Sequence, residues 1–415
     1  MERTRKRKTP TLEQNTTTKR PTMDFCAKIA NQLMLKKIQN GFSKNIVSSS
    51  LSIEAVLNML VAGSTGRTLE RMLGFLGSKS VDEVNAKSRK MMAVAEYCEC
   101  AEDASNGPIL NVINGAWVDQ RFPLVHKYEE EVLKAIFKCE GNTVDFATKA
   151  DQVVDEINSW ADTASRGLIN EILQHGSVPR ETALILANAI YFKGIWDCDY
   201  KFDARRTEDR KFYLLNGSTV LAPFMTSGRT YYCGSFDGFK VLKIPYQSGK
   251  SNNFSMYFFL PDEQDGLQNL LVLLDSDSGF LNQKYRELRE QKLDKFWIPK
   301  FKFSFNFDVS KVMHDMGESS SFIENPRDLS EMLQNCENVP FLNTKMFQKA
   351  YIEVDEKGTE AVAITVLHCE GCGRPPPKIK RLSFVADHPF IFMITEERSG
   401  LVFFTGAVLN PIQKD

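Results

Sequence analysis

Apolar residues fall at helical spacing through the first part of the chain. Phe25, Ile29 and Leu33 recur every four residues and so line one face of a helix. Ile53, Val56, Leu60 and Val61 repeat the pattern behind Ser52, whose hydroxyl suits a helix N-cap, and Gly63 supplies a stop. Val153, Ile157, Trp160 and Ala164 make a third stripe, ended at Ser165-Arg166-Gly167.

Further along, the period shortens to two. Phe301, Phe303, Phe305 and Phe307 alternate with Lys302, Ser304 and Asn306, which predicts a half-buried strand with four aromatic rings on one face. Phe254–Leu260, Tyr351–Val354, Phe384–Ile394 and Leu401–Leu409 are further apolar runs, several of them β-branched or aromatic. Helices gathered early and strands late predict an α+β fold with antiparallel or mixed sheets, not an alternating α/β fold. No Gly/Ser/Pro-rich linker interrupts the chain between residues 23 and 370 and no internal repeat is visible, so 23–415 reads as a single domain.

Composition fits a globular protein with a large core: 42% of the 415 residues are hydrophobic and 25% charged. The longest apolar stretches, Leu184–Phe192 and Phe254–Leu260, are far too short to span a bilayer, so no membrane partner is expected. The net charge of −1 is unevenly placed, because residues 1–20 hold seven basic residues and two acidic ones. The body is therefore mildly acidic and gives no charge reason to bind nucleic acid. Residues 1–22 read as a disordered basic tail. Its Arg5-Lys6-Arg7-Lys8 cluster reads either as a nuclear address or as solvated chain. Residues 2–22 contain no apolar signal segment, and the nine cysteines are an odd number without framework spacing. Both features predict a reducing address, cytoplasm or nucleus or both, in preference to the exterior. The sequons at Asn15, Asn216 and Asn253 would matter only outside the cytosol.

Catalytic signatures are missing. There is no G-x-S-x-G elbow, no phosphate-binding glycine loop and no H-E-x-x-H helix. None of the five histidines is spaced to serve a nucleophile. Cys98-x-Cys100 reads as coincidence. His368 with Cys369-x-x-Cys372 offers only part of the four-ligand set that structural zinc needs, so no metal or other cofactor is expected and exposed, oxidisable thiols are.

The informative stretch is 347–409. Phe347 to Val354 predicts a strand, and Asp355-Glu356-Lys357-Gly358-Thr359-Glu360-Ala361 ends it at a glycine hinge followed by small residues. An irregular segment with Pro375, Pro376 and Pro377 separates this from Phe384-Val385-Ala386-Asp387-His388-Pro389-Phe390. The chain resembles the serpin family in these segments. It does so also, in the family's order, at Asn158-Ser159-Trp160, Gly167-Leu168-Ile169, Asn188 to Trp196, Pro223-Phe224-Met225-Thr226 and Ile298-Pro299-Lys300-Phe301. The details look most like plant serpins, over about residues 24–411.

The resemblance implies three β-sheets (A, B and C), eight or nine helices and an exposed reactive-centre loop of about 358–382. It implies a monomeric suicide inhibitor of serine proteases, and not an enzyme. A protease would attack the loop and form an acyl-enzyme, after which the cleaved loop would insert into the main sheet. By position, the hinge is Glu356, Gly358, Thr359, Ala361, Ala363 and Thr365. The sheet-opening region is Ser52, Asn188, Lys193 and Trp196.

The residues suit that mechanism. A loop that becomes a central strand needs β-compatible side chains and no proline, and 358–372 contain none. Alternation puts Thr359, Ala361, Ala363 and Thr365, all small and uncharged, on one face, and Glu360, Val362, Ile364 and Val366 on the other. Val362 and Ile364 stand where the family usually has alanine, on the outward set where β-branching helps a strand. Fifteen extended residues reach roughly 50 Å, the length of a domain.

The family's spacing from Glu356 places the reactive bond at Cys372–Gly373, to within one or two residues. Arg374 precedes Pro375, a poor partner for a trypsin-like site. Cys372 suits a modest pocket, in an elastase-like serine protease or a cysteine protease, and its thiol could bring redox control. The serines at 48 and 50 and the Cys-Pro loop favour an alternative, a non-inhibitory serpin acting as a binding module or chaperone. Ser48-Ser49-Ser50-Leu51-Ser52 lacks the family's Phe and Pro at 48 and 50, and Gln348 replaces a common His.

Overall fold

The computed structural model describes residues 25–99, 108–248, 253–276, 288–315, 323, 325–359 and 381–413. Among them are eight α-helices: α1 (Phe25–Gln39), α2 (Ser50–Ala62), α3 (Gly66–Leu76), α4 (Val81–Glu99), α5 (His126–Tyr128), α6 (Phe146–Ala164), α7 (Leu267–Ser276) and α8 (Val309–Asp315). The strands form three sheets, as an α+β fold requires.

Sheet A runs in the order β12 (Phe301–Asp308), β13 (Asn343–Val354), β4 (Thr182–Ile195), β2 (Ile109–Asp119) and β3 (Gly141–Val144), with the short β14 (Gly358–Thr359) also on β4. Sheet B is antiparallel throughout. Its order is β1 (Ile46–Ser48), β17 (Val402–Val408), β16 (Phe390–Glu396), β9 (Phe254–Pro261), β8 (Phe239–Pro245), β7 (Thr230–Phe236) and β10 (Arg289–Lys292). Sheet C joins β15 (Phe384–Val385), β11 (Phe296–Pro299), β6 (Thr219–Met225) and β5 (Glu208–Tyr213).

The apolar run 184–192 becomes the middle of β4, which is covered on both faces. Ile185, Ala187, Ala189 and Tyr191 pack with Val153, Ile157 and Ala161 of α6, while Leu184, Leu186, Ile190 and Phe192 join the main core with α2. A strand buried on both sides reads as continuous apolar sequence, without alternation. In β13 the same division holds: Phe347 and Tyr351 face α6, and Met346, Ala350 and Ile352 face the core.

Helix α2 is buried from Leu51 to Val61 without a polar stripe, as befits a helix enclosed between sheets A and B. Its N-cap corrects the sequence reading. Ser49, not Ser52, caps the helix, accepting a hydrogen bond from the Ser52 N–H at 3.2 Å. Strand β1 ends at Ser48, so the first serine free of the strand takes the cap and Ser52 turns inward. Gly63 ends the helix as expected, and α6 ends at Ser165 with Arg166 and Gly167 in left-handed conformation.

Two further expectations change. The run 384–394 is not one strand: it divides between sheets C and B around His388. That imidazole is buried, with Nε2 2.9 Å from the Pro261 carbonyl and Nδ1 2.9 Å from Asp387. Strands also begin earlier than the periodicity suggested, since β2 and β4 lie in the first half, while α7 and α8 lie in the second. The phenylalanines of β12 do share a face, with Phe301, Phe303 and Phe307 buried and Phe305 partly so.

Candidate functional site at the fork of sheet A

Strands β13 and β4 pair in parallel from Asn343 and Thr182 as far as Tyr351 and Tyr191. Beyond that point they part, and the chain itself enters the fork. Gly358 and Thr359 pair antiparallel with β4, opposite Ile195 and Gly194.

The turn that delivers them is closed locally. The Asp355 carboxylate accepts the N–H groups of Lys357 (2.8 Å) and Gly358 (3.2 Å), and the Asp355 N–H donates to the Gly358 carbonyl at 2.8 Å. Burial pushes the Asp355 carboxyl up, against the pull of those two N–H groups. Gly358 sits at φ +144°, and a Cβ there would lie 2.0 Å from the Gly194 carbonyl oxygen. Only glycine fits.

Trp196 fastens the turn. Its backbone N–H donates to the Lys357 carbonyl at 2.8 Å and its indole N–H to the Asp355 carbonyl at 2.9 Å. The ring stacks on Tyr246 at 4.5 Å and 14°. The Tyr246 hydroxyl lies 3.0 Å from that of Thr359, which is fully buried.

Glu356 anchors the other side. Its carboxylate accepts from Lys300 Nζ at 2.8 Å and from the Thr207 hydroxyl at 2.7 Å, and its carbonyl accepts the Phe202 N–H at 3.1 Å. Burial raises the Glu356 pKa, but the hydrogen bonds from Lys300 and Thr207 outweigh it and hold the group below the ordinary carboxylate range.

Of the residues predicted from sequence, Glu356, Gly358, Thr359 and Trp196 meet at this fork, with Lys193 just below, opposite Ile109 of β2. Asn188 belongs to a second polar group at mid-sheet, whereas Ser52 is buried on α2 and its hydroxyl has no hydrogen-bond partner among the described residues. Asn188 lies opposite Gln348 across β4 and β13, and its Nδ2 donates to Asn114 Oδ1 at 2.7 Å. Ser48 donates to Gln348 Oε1 at 3.3 Å, and Ser50 donates to the Val402 carbonyl at 2.7 Å. The substituted serines thus both make bonds. Ala361, Ala363, Thr365, Cys372 and Gly373 lie outside the described residues. Tyr246, Lys300 and Thr207 were not foreseen as site residues. Lys300 falls in the motif Ile298–Phe301, but its partner was not legible, and nothing local marks Tyr246 or Thr207, since each meets the hinge from 56 or more positions away in the chain.

The family model for serpins (serine protease inhibitors) matches residues 21–411. This chain is a serpin. Its curated relatives include Serpin-ZX of Arabidopsis thaliana, 41% identical over 89% of this chain and 93% of the relative. A relative named probable non-inhibitory serpin-Z5, also from Arabidopsis thaliana, is 38% identical over 89% of this chain and 79% of its own length. Among solved structures, Arabidopsis AtSerpin1 in its native stressed conformation superposes with a TM-score of 0.78 at 38% identity, covering 95% of this serpin and all of that chain. The recognition from sequence as a serpin most like plant serpins holds, and with it the three-sheet fold. The family is one of protease inhibitors, not enzymes.

Proposed function

We propose that this serpin inhibits a serine-type endopeptidase as a suicide substrate, with the loop after Thr359 as bait. The observation that carries the reading is the start of β14 in the fork. Two residues of the hinge already pair with β4, in the antiparallel sense an inserted strand would keep. Extending that pairing toward Thr365 would give each new residue backbone partners that an exposed loop leaves to water. No catalytic group is needed.

Cleavage at or near Cys372–Gly373 would release the loop, and a small apolar residue on its acyl side fits an elastase-like serine protease or a cysteine protease with a modest pocket. The test is mixing with a panel of such proteases, followed by denaturing gel electrophoresis. An SDS-resistant band of higher mass, lost in Thr359→Arg, is the expected outcome. Clean loop cleavage by every protease, with no rise in melting temperature afterwards, would favour the alternative of a non-inhibitory serpin acting as a binding module or chaperone.

A further inference from the structure

The hairpin between β5 and β6 turns on an Asn-Gly pair, and the fold presents that pair for chemistry that needs no enzyme. An asparagine followed by glycine can close on itself, which is one source of the thermal lability of asparagine. The glycine backbone nitrogen attacks the carboxamide carbon, and the side-chain nitrogen leaves as ammonia, taking the glycine amide proton. A cyclic imide remains. Water then opens either of its two ring C–N bonds, leaving aspartate or, with the backbone rerouted through the side chain, isoaspartate. Glycine suits the attack because it has no side chain to obstruct the approach.

Three such pairs lie among the described residues, Asn40-Gly41, Asn114-Gly115 and Asn216-Gly217, and Asn106-Gly107 lies outside them. The fold treats the three differently. Asn114 is buried in β2, where its Nδ2 donates to the Phe137 carbonyl at 2.9 Å and its Oδ1 accepts from Asn188 at 2.7 Å. Gly115 is in register with Ala187 of β4, so attack there would require the centre of sheet A to open. Asn40 and Asn216 are exposed, each followed by a glycine of positive φ (+76° and +79°) with open space around it. Each glycine N–H donates to a carbonyl, Ile38 at 3.0 Å and Leu214 at 2.9 Å, so one such bond must break in either case.

The carboxamide separates these two. Asn216 Oδ1 accepts from the Ser218 N–H at 3.0 Å and from the Ser218 hydroxyl at 2.7 Å. Those bonds fold the side chain forward, and the ring they close contains the Gly217 nitrogen. They also set two donors on the oxygen that takes up negative charge when the carbon is attacked, as donors do for oxyanions in acyl transfer. No side-chain bond of this kind holds Asn40 among the described residues.

We infer that Asn216 is a self-modification site, converting to isoaspartate and aspartate as the molecule ages, with the Ser218 donors activating its carboxamide. The sequon at this position matters only outside the cytosol; this chemistry needs only water. The product places a carboxylate, and in isoaspartate one extra backbone carbon, in a loop closed by the Leu214 N–H on the Ser218 carbonyl at 2.8 Å. The neighbouring Tyr213 N–H donates to the Asp387 carbonyl at 2.7 Å, so the change lies beside the join between sheet C and the chain leading into β16. None of this depends on insertion of the loop after Thr359.

Ageing the full-length protein at neutral pH tests it, with peptide mapping by mass spectrometry and an isoaspartyl carboxyl methyltransferase as the probe for isoaspartate. Asn216 should convert faster than Asn40, and Asn114 should stay intact over the same period. In concentrated guanidinium the three rates should converge, because the next residue is glycine in each. Ser218→Ala removes one donor and keeps the other, and should slow conversion at 216 about fivefold, the equivalent of one net hydrogen bond. Ser218→Thr should restore it. Asn40 in the same molecules is the internal standard, and a merely loosened hairpin would speed conversion instead. Conversion at 216 no faster than at 40, or a rate unmoved by Ser218→Ala, overturns the inference. So does a ranking that persists in guanidinium, since local sequence would then account for it.

Discussion

The hydroxyls of Thr359 and Tyr246 lie 3.0 Å apart in a fully buried contact. That bond joins the first residues of the hinge to a tyrosine that is itself stacked on Trp196, so the fork is held by an aromatic pair and one hydroxyl bridge. Burial raises the Tyr246 pKa and the bond to Thr359 opposes this, so the phenol stays protonated at any working pH.

Tyr246→Phe keeps the stack and removes the bridge. The Thr359 hydroxyl is then buried without its partner, which costs about 1–3 kcal/mol. Denaturant unfolding should show that loss, and amide exchange should speed up at Gly358 and Thr359. Adding Thr359→Ala should restore most of the stability, because both polar partners are then gone.

Gly358→Ala should lift β14 off β4. The added methyl collides with the Gly194 carbonyl, and the φ of +144° is strained for any L residue with a side chain. A destabilisation of at least about 1 kcal/mol is expected. Limited proteolysis between 355 and 360 should become faster; unchanged resistance would count against the pairing.

Glu356 and Asp355 respond to acid with opposite sign. The Glu356 pKa is lowered in the folded protein, so its contribution is full above the unfolded value of about 4.3 and is lost as pH falls through the folded value. The Asp355 pKa is raised, so its contribution is present below its unfolded value and fades as pH rises through the folded one. In Glu356→Gln only the second effect remains. The fall in stability on acidification through the carboxylate range should therefore be smaller in the variant than in wild type, as read from urea midpoints at stepped pH.

Of Cys139, Cys198 and Cys233, Cys198 should react first with iodoacetamide. It is exposed, whereas Cys139 and Cys233 are buried, which pushes each thiol up to about 12. Cys198 is itself raised, chiefly by the negative charge of Asp197, so alkylation should be slow at neutral pH and faster in Asp197→Asn. Peptide mapping after partial alkylation reads both effects.

Much of this was legible in the sequence, and the failures have physical reasons. The Gly358 hinge and the parity that buries Thr359 follow from alternation and from what small residues permit. The cap of α2 was misplaced because four serines crowd positions 48–52, and only the end of β1 decides which of them is free. Aromatic composition on both sides masked the break at His388, although Pro389 marked it, and the bond that fixes it comes from Pro261 on another strand. Tyr246 and Thr207 carry no local signature, and the motif that contains Lys300 does not say what its ammonium binds. Their role exists only once sheets A, B and C are assembled around the fork.

The contact between Gly194 and Gly358 separates two kinds of information in the chain. It depends on a bare α-carbon at 358 against a backbone carbonyl at 194, and neither position lies in the stretch 366–376 where a protease would read its substrate. A change of prey can therefore be written into that stretch by itself, leaving the entrance to the sheet as it is, and grafting a new bait sequence there should not require redesign of the trap.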